Sequence, residues 1–229
     1  MDLSRRDFIK GGAVACLSIA AGPYLTQMVE AAEKGGTKYM KFEQNVQVPY
    51  STGRDVPTIS MPEGACDVCH HIYDPVRFPY LPDDIRNQPP ATVDVYRMLQ
   101  RKLGLTRNVI IQPSAYGTDN RCLLDALKQM GKANSRAIVV VDEQISNKEL
   151  EKMAEKGVCG IRYNVSRGAD FNSAAILKMA DRIKGLGWNM HFWMPADTTV
   201  AAEEMLQQLP VPIVFDHRGH LPKGVGIDH

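Results

Sequence analysis

The stretch from Ala137 to Val165 reads AIVVVDEQISNKELEKMAEKGVCGIRYNV. It opens on an unbroken apolar run, Ala137–Val141, closed by Asp142. A strand covered on both faces has this composition. Ser146-Asn147-Lys148-Glu149 follows, with Glu three residues after Ser. That is a capping box, and it starts a helical pattern that runs from Ser146 to Lys156. Gly157 stands where a helix-ending glycine belongs. A second apolar run, Gly160–Val165, completes a strand–helix–strand unit within about 30 residues, which sets its two strands parallel.

The same alternation extends in both directions. Further strands are expected at Ala65–Tyr73, Asn108–Ser114, Asn189–Met194 and Ile213–His217, with the central pair taken as Ala137–Asp142 and Gly160–Val165. Helical spacing covers Thr92–Leu103, Asn120–Met130, Ser173–Leu186 and Thr199–Leu209, and Gly104, Gly131 and Gly187 follow three of these. An α/β fold with a parallel sheet results. Two closures fit, an open doubly wound sheet and a (β/α)8 barrel. No G-x-G-x-x-G follows the first strand, which disfavours a dinucleotide site. Polar residues gather at the C-terminal strand ends: His70-His71, Gln112 with Ser114, Asp142, Arg162 with Asn164, His191, and Asp216-His217. Both closures place a site there.

Composition narrows the partners. The chain has 229 residues, 44% apolar and 23% charged, with 27 Lys+Arg against 26 Asp+Glu. A net charge of +1 gives no basic excess, so a nucleic-acid partner is not expected. Ser4-Arg5-Arg6-Asp7-Phe8-Ile9-Lys10 is a twin-arginine pattern, followed by the modest apolar run Ala13–Ala21. The run is shorter than the roughly 20 residues of a membrane span, so it reads as an address for the twin-arginine export machinery and not as a stable membrane anchor. Cleavage after Ala31 would leave the net charge at +1. Residues 1–31 are therefore assigned to a signal peptide, 32–64 to an N-terminal arm and 65–229 to the domain, which is expected to work in a bacterial periplasm.

In an extended strand, residues two apart share a face. Asp67, Cys69 and His71 therefore share one, with His70 on the other. His71 and His217 end two strands at a common mouth, where they could polarise a carbonyl or bind a metal. Two histidines at a sheet edge also serve as structural residues. Cys66-Asp67-Val68-Cys69-His70 is formally C-x-x-C-H, the c-type haem pattern, but it lies inside an expected strand. Extended geometry holds Cys66 and Cys69 about 10 Å apart, too far for a disulfide. Cys122 and Cys159 read as small core residues. Thr118, Asp119 or Asn120 can cap the helix after Gln112-Pro113-Ser114-Ala115-Tyr116. Arg162 and Asn164 share a face. An inward Arg needs an anion, either a substrate carboxylate or an internal aspartate. Trp193, on the same face as His191, suits a pocket wall.

Together, Ala65–Pro75, Arg77-Phe78-Pro79-Tyr80, Gln112–Asn120, Gly160-Ile161-Arg162-Tyr163-Asn164 and Phe215-Asp216-His217-Arg218-Gly219 resemble the amidohydrolase-2 branch of the amidohydrolase superfamily, above all its 2-pyrone-4,6-dicarboxylate lactonase-like hydrolases. The resemblance runs from about Pro62 to about Pro222. It implies a distorted (β/α)8 TIM barrel that hydrolyses a carboxylated lactone or a related cyclic ester or amide. It implies that His71 and His217 polarise the scissile carbonyl. Arg162 would hold a carboxylate, with Ser114, Tyr116, Asn164, Arg167 and Trp193 completing the pocket, and an aspartate on an eighth strand would activate water. No metal or other cofactor is required in this branch. Here Cys69 replaces the first His of the family's His-x-His, and Trp193 stands where metal-dependent relatives carry a His, so a divalent metal would find a poor ligand set. Strand starts recur about every 29 residues, so 229 residues hold about six of the eight βα units; a chain of roughly 285 would hold all eight. A C-terminally truncated barrel of impaired activity is the expectation. The alternatives are a non-catalytic periplasmic binding protein for a small carboxylate and a c-type haem protein through Cys66, Cys69 and His70.

Overall fold

The computed structural model describes residues 47–51, 55, 57–84, 86–167 and 171–224. The expected signal at 1–31, most of the arm at 32–64 and residues 225–229 lie outside them. Six strands follow in order: β1 (Cys66–His70), β2 (Arg107–Ile111), β3 (Ser135–Val139), β4 (Val158–Tyr163), β5 (Asn189–Phe192) and β6 (Ile213–Phe215). The helices are α1 (Val93–Leu103), α2 (Arg121–Met130), α3 (Asn147–Lys156), α4 (Ser173–Ile183), and the short α5 (Ala196–Ala201) and α6 (Glu203–Leu206). Each strand pairs in parallel with the next, in the order β1-β2-β3-β4-β5-β6.

The strand order alone does not distinguish a curled sheet from a flat one. Arg162 does: from the end of β4 it reaches both the backbone oxygen of Gln112, just past β2, and Asp216, just past β6. Side chains of alternate strands meet in this way only on the inside of a curled sheet, as in the layered interior of a (β/α)8 barrel. The described residues thus build five βα units and a sixth strand of such a barrel. β1 and β6 each have one strand neighbour among them, and Val68 and Val214 on these outer strands are exposed.

The helices close the outer face. α2 buries Cys122, Leu123, Ala126 and Leu127, and α4 buries Ile176, Met179, Ala180 and Ile183. Each buried leucine or isoleucine contributes about 1.5–3 kcal/mol of apolar transfer. The box at Ser146 forms as its spacing predicts: Ser146 Oγ accepts from the Glu149 N–H at 3.2 Å, and Glu149 Oε2 accepts from the Ser146 N–H at 3.0 Å.

Three expectations are corrected. All six strands stop two or three residues early, because the polar residues at their ends leave the ladder. Ser114–Tyr116 and Val165–Arg167 are 3-10 turns, and Asp216–Gly219 is a turn with left-handed backbone at His217 and Arg218. The helix expected over Thr199–Leu209 begins at Ala196, directly after Pro195, and breaks at Ala202. Pro favours a helix start, and the β-branched run Thr198-Thr199-Val200 weakens its continuation. The third concerns β1, where Asp67 pairs with Asn108 and His70 with Ile110. Three steps on β1 match two on β2, a bulge that reverses the alternation. Asp67 thus joins His70 against α1: Tyr96 donates its hydroxyl to Asp67 Oδ2 at 3.0 Å, and His70 stacks on the Tyr96 ring at 3.6 Å.

Candidate active site

At the C-terminal ends of the strands lies a buried charged group. Arg162 and Asp216 have side chains only 2% and 4% exposed. Arg162 Nε donates to Asp216 Oδ2 at 2.7 Å, and Nη1 donates to the Gln112 carbonyl at 3.3 Å. His191 Nδ1 donates to the other carboxylate oxygen, Oδ1, at 3.3 Å. Burial pushes the Asp216 carboxyl up, but the His191 and Arg162 bonds and charges outweigh it and hold it below its ordinary value. Trp193 lies over the guanidinium, 5.2 Å from ring centre to Cζ, within cation–π range. Of the two anions expected as partners of Arg162, the internal aspartate is present.

His71 lies beyond the bulge, and its Nδ1 donates to the Ile111 carbonyl at 2.8 Å. A carbonyl can only accept, so Nδ1 carries the proton and the neutral ring presents a lone pair at Nε2. Burial lowers the His71 pKa, and the positive charge of Arg162 adds to this; the Ile111 bond and Asp216 oppose it. Cys69 feels the same Asp216 and Arg162 charges, and burial raises its thiol.

His217 sits just past β6 on left-handed backbone. His217, Arg218, Gly219 and His220 have φ of 52°, 56°, 76° and 52°. Non-glycine residues in this region are strained, and such strain concentrates at functional sites. The His217 ring is 5.2 Å from Trp193, and the His220 ring 6.1 Å from it on the same turn. His220 Nδ1 is bonded to Ser166 Oγ at 3.0 Å, which ties this turn to the one after β4. His71, Arg162, Trp193 and His217 therefore converge.

The remaining expected residues divide. Asn164, just past β4, is buried, and its Oδ1 has no partner among the described residues. Ser114 accepts from Arg86 Nη1 at 2.8 Å, and Arg86 is itself forked onto Asp84. Tyr116 is not brought to the group. It is 1% exposed, and its hydroxyl accepts from the Asp74 N–H at 2.9 Å, which makes it a core residue. The side chain of Arg167 is outside the described residues. Asn120 does not cap α2 through its side chain; it clamps β3, accepting from the Val140 N–H and donating to the Val140 carbonyl. Sequence reasoning missed Arg86 and His220, which carry no motif. It noted His191 and Asp216 at strand ends without pairing them.

Metal and haem are tested by the donors present. Among the described residues no three His, Cys, Asp or Glu side chains converge to hold a metal, whereas a catalytic zinc takes three protein ligands. Of the haem pattern, His70 Nε2 is bonded to Asn108 Oδ1 at 3.2 Å, with its ring against Tyr96. Neither group fits. Cys66, Cys69, Cys122 and Cys159 are free thiols. A cleft of about 210 Å³, whose lining includes Asp74, Arg77, Asp94 and Asp125, lies between the loop after β1 and helices α1 and α2.

Comparison with known proteins places the fold in a family. The chain is 32% identical over 175 residues to a 2-pyrone-4,6-dicarboxylate hydrolase of Comamonas testosteroni, covering 75% of this chain and 57% of that protein. It is 30% identical over 174 residues to a 4-sulfomuconolactone hydrolase of Hydrogenophaga intermedia, covering 73% and 56%. A D-galactarolactone isomerase of Agrobacterium fabrum is 29% identical over 174 residues, covering 75% and 59%. The chain thus spans a little over half the length of these relatives. Among solved structures, a putative 2-pyrone-4,6-dicarboxylic acid hydrolase of Pseudomonas putida superposes with a TM-score of 0.62 at 28% identity, covering 72% of this chain and 61% of that one. A probable hydrolase of the same name from Acinetobacter baumannii, with citric acid bound, gives 0.65 at 24% identity, covering 72% and 62%. Residues 66–229 match the family model described as Amidohydrolase, and the chain belongs to that family.

Proposed function

We propose that this protein hydrolyses a carboxylated lactone without a metal. The observation that carries the proposal is the convergence of His71, Arg162, Trp193 and His217 at the strand ends, in a fold whose relatives are named for lactones. Arg162 holds a ligand carboxylate, with Trp193 as the wall above it. His217 donates to the scissile carbonyl oxygen. The role expected for His71 changes with its geometry. To polarise a carbonyl through Nε2 it would have to be an imidazolium, which burial and the Arg162 charge oppose. Neutral His71 is an acceptor, suited to take a proton from the attacking water. Water adds to the carbonyl carbon, its proton passes to His71 Nε2, the ring C–O bond breaks, and the leaving oxygen takes that proton back from His71, which returns to its neutral form.

The test is loss of pyrone absorbance on incubation with 2-pyrone-4,6-dicarboxylate, with and without EDTA. Chelator-insensitive turnover supports the proposal, and turnover abolished by EDTA and restored by a divalent metal refutes its metal-free part. A second reading, a binding protein for a small carboxylate, is favoured by Cys69 at the position of the family's first histidine. Tight binding of the dicarboxylate with no turnover would select it. We further propose export to the periplasm by the twin-arginine route, on the pattern at Arg5-Arg6. Fractionation of cells carrying Arg5→Lys/Arg6→Lys should leave the protein in the cytoplasm.

A further inference from the structure

Arg162 has five N–H donors on a planar fork, and two nitrogens are already engaged. Nε bonds Asp216 Oδ2 and Nη1 bonds the Gln112 carbonyl, so Nη2 is the nitrogen for which the described residues supply no acceptor. This is an unusual way for an aspartate to meet an arginine. A carboxylate facing the Nε edge ordinarily takes Nε and Nη2 together, as a bidentate pair. Asp216 does not, because its second oxygen is turned to His191 Nδ1 at 3.3 Å. The three residues come from three strand ends, β4, β5 and β6, so the arrangement is set by the sheet.

We propose that His191 and Asp216 together set the ligand affinity of Arg162: His191 draws one oxygen of Asp216 away, and this keeps Nη2 open for the ligand's carboxylate. Asp216 is the positioning residue of the guanidinium and also an internal rival to the incoming anion. The inference rests on the reading that Arg162 meets a carboxylate. It assigns opposite effects to two adjacent residues. Replacing His191 with Phe removes the hold on Oδ1, so Asp216 closes onto Nε and Nη2 and ligand binding weakens. Replacing Asp216 with Asn removes the rival charge, so binding tightens, while the looser guanidinium slows turnover. A residue needed only for folding would weaken binding and turnover together.

The experiment compares wild type, His191→Phe and Asp216→Asn, using calorimetry and turnover with 2-pyrone-4,6-dicarboxylate and NMR of the Arg162 side-chain protons. The expected result is a Kd about three- to tenfold weaker in His191→Phe and about three- to tenfold tighter in Asp216→Asn, with kcat reduced in the latter. In the spectra, the Arg162 Nε proton is shifted and slow to exchange in wild type. In His191→Phe an Nη2 proton joins it. Affinity changes of the same sign in both variants would overturn the proposal. If the wild type does not bind the dicarboxylate, the functional reading fails, and the NMR still decides the geometry: an unchanged Nη2 signal in His191→Phe overturns the proposal. If Asp216→Asn does not fold, His191→Phe alone carries both readouts.

Discussion

Removing the Arg162 side chain by Arg162→Met should leave Asp216 charged, 4% exposed and without its main cation. Leaving one member of a buried pair uncompensated costs about 3–5 kcal/mol. Domains are stable by only about 5–15 kcal/mol, so the loss is a large fraction of the whole. At roughly 2–4 °C per kcal/mol for a domain of this size, the melting midpoint should drop by about 10 °C. Urea unfolding at neutral pH measures the loss directly. The double variant Arg162→Met/Asp216→Leu removes both charges and should recover most of it, because apolar replacements of a buried pair are often neutral. The pH dependence adds a second check. Wild-type Asp216 is held below its ordinary value of 3.8, so the unfolded chain binds more protons in acid. Its contribution is complete above the unfolded pKa and is lost as the pH falls through the folded one. With Arg162 gone, burial meets less opposition, the folded pKa rises toward or past the unfolded one, and this acid-side loss should flatten. A single variant costing less than about 1 kcal/mol, or a double variant worse than the single, would refute the reasoning.

Further outcomes are expected. Gly160→Ala should destabilise by about 1–3 kcal/mol in urea titration, since the added Cβ would overlap Asn189 Oδ1 and lie 2.7 Å from the Asn189 backbone oxygen and 2.9 Å from Ile138 Cδ1. If a neutral His71 is the base, kcat/KM for the dicarboxylate should be flat above the ordinary histidine value of 6.5 and fall only on the acid side of it, because the folded pKa is lowered. An activity that rises on acidification through that range would contradict the role. Arg218→Gly should raise stability by up to about 1 kcal/mol, by relieving a left-handed arginine at φ 56°. A loss of stability in thermal melts would count against that backbone.

The fold was legible because its signals are local and repeated. The capping box at Ser146 and the glycines that end α1, α2 and α3 act through neighbours in the chain, and the β-α alternation needs no tertiary knowledge. The site was legible only as a set of strand ends. The pairing of Arg162 with Asp216 joins residues 54 positions apart. Both of its candidate anions fitted the sequence, and only the curl of the sheet selects between them. The bulge in β1 was invisible for a related reason. Alternation assumes one residue per pleat, and no glycine or proline in Asp67-Val68-Cys69-His70 marks the extra residue. Tyr116 was misplaced because a tyrosine in a polar loop reads as a ligand contact until its hydroxyl is seen to be used by the Asp74 N–H.

The charge arrangement at the strand ends bears on how an anion would enter. Inside, the Arg162 and Asp216 charges cancel, so the interior offers little long-range attraction to a dicarboxylate. At the mouth, the left-handed turn after β6 exposes Arg218, and Lys223 follows it, with the His217 and His220 rings of the same turn against Trp193. Exposed cations act over a Debye length of about 8 Å at physiological salt, so this turn can attract an anion to the opening but does not fix its orientation. Orientation falls to the buried guanidinium, where low dielectric strengthens each bond and where Asp216 limits how firmly a carboxylate is held. Capture at the rim and orientation in the interior therefore rest on different residues. Salt should slow the approach of a dicarboxylate far more than it changes the contacts at Arg162, so the salt dependence of a binding measurement belongs mainly to the on-rate.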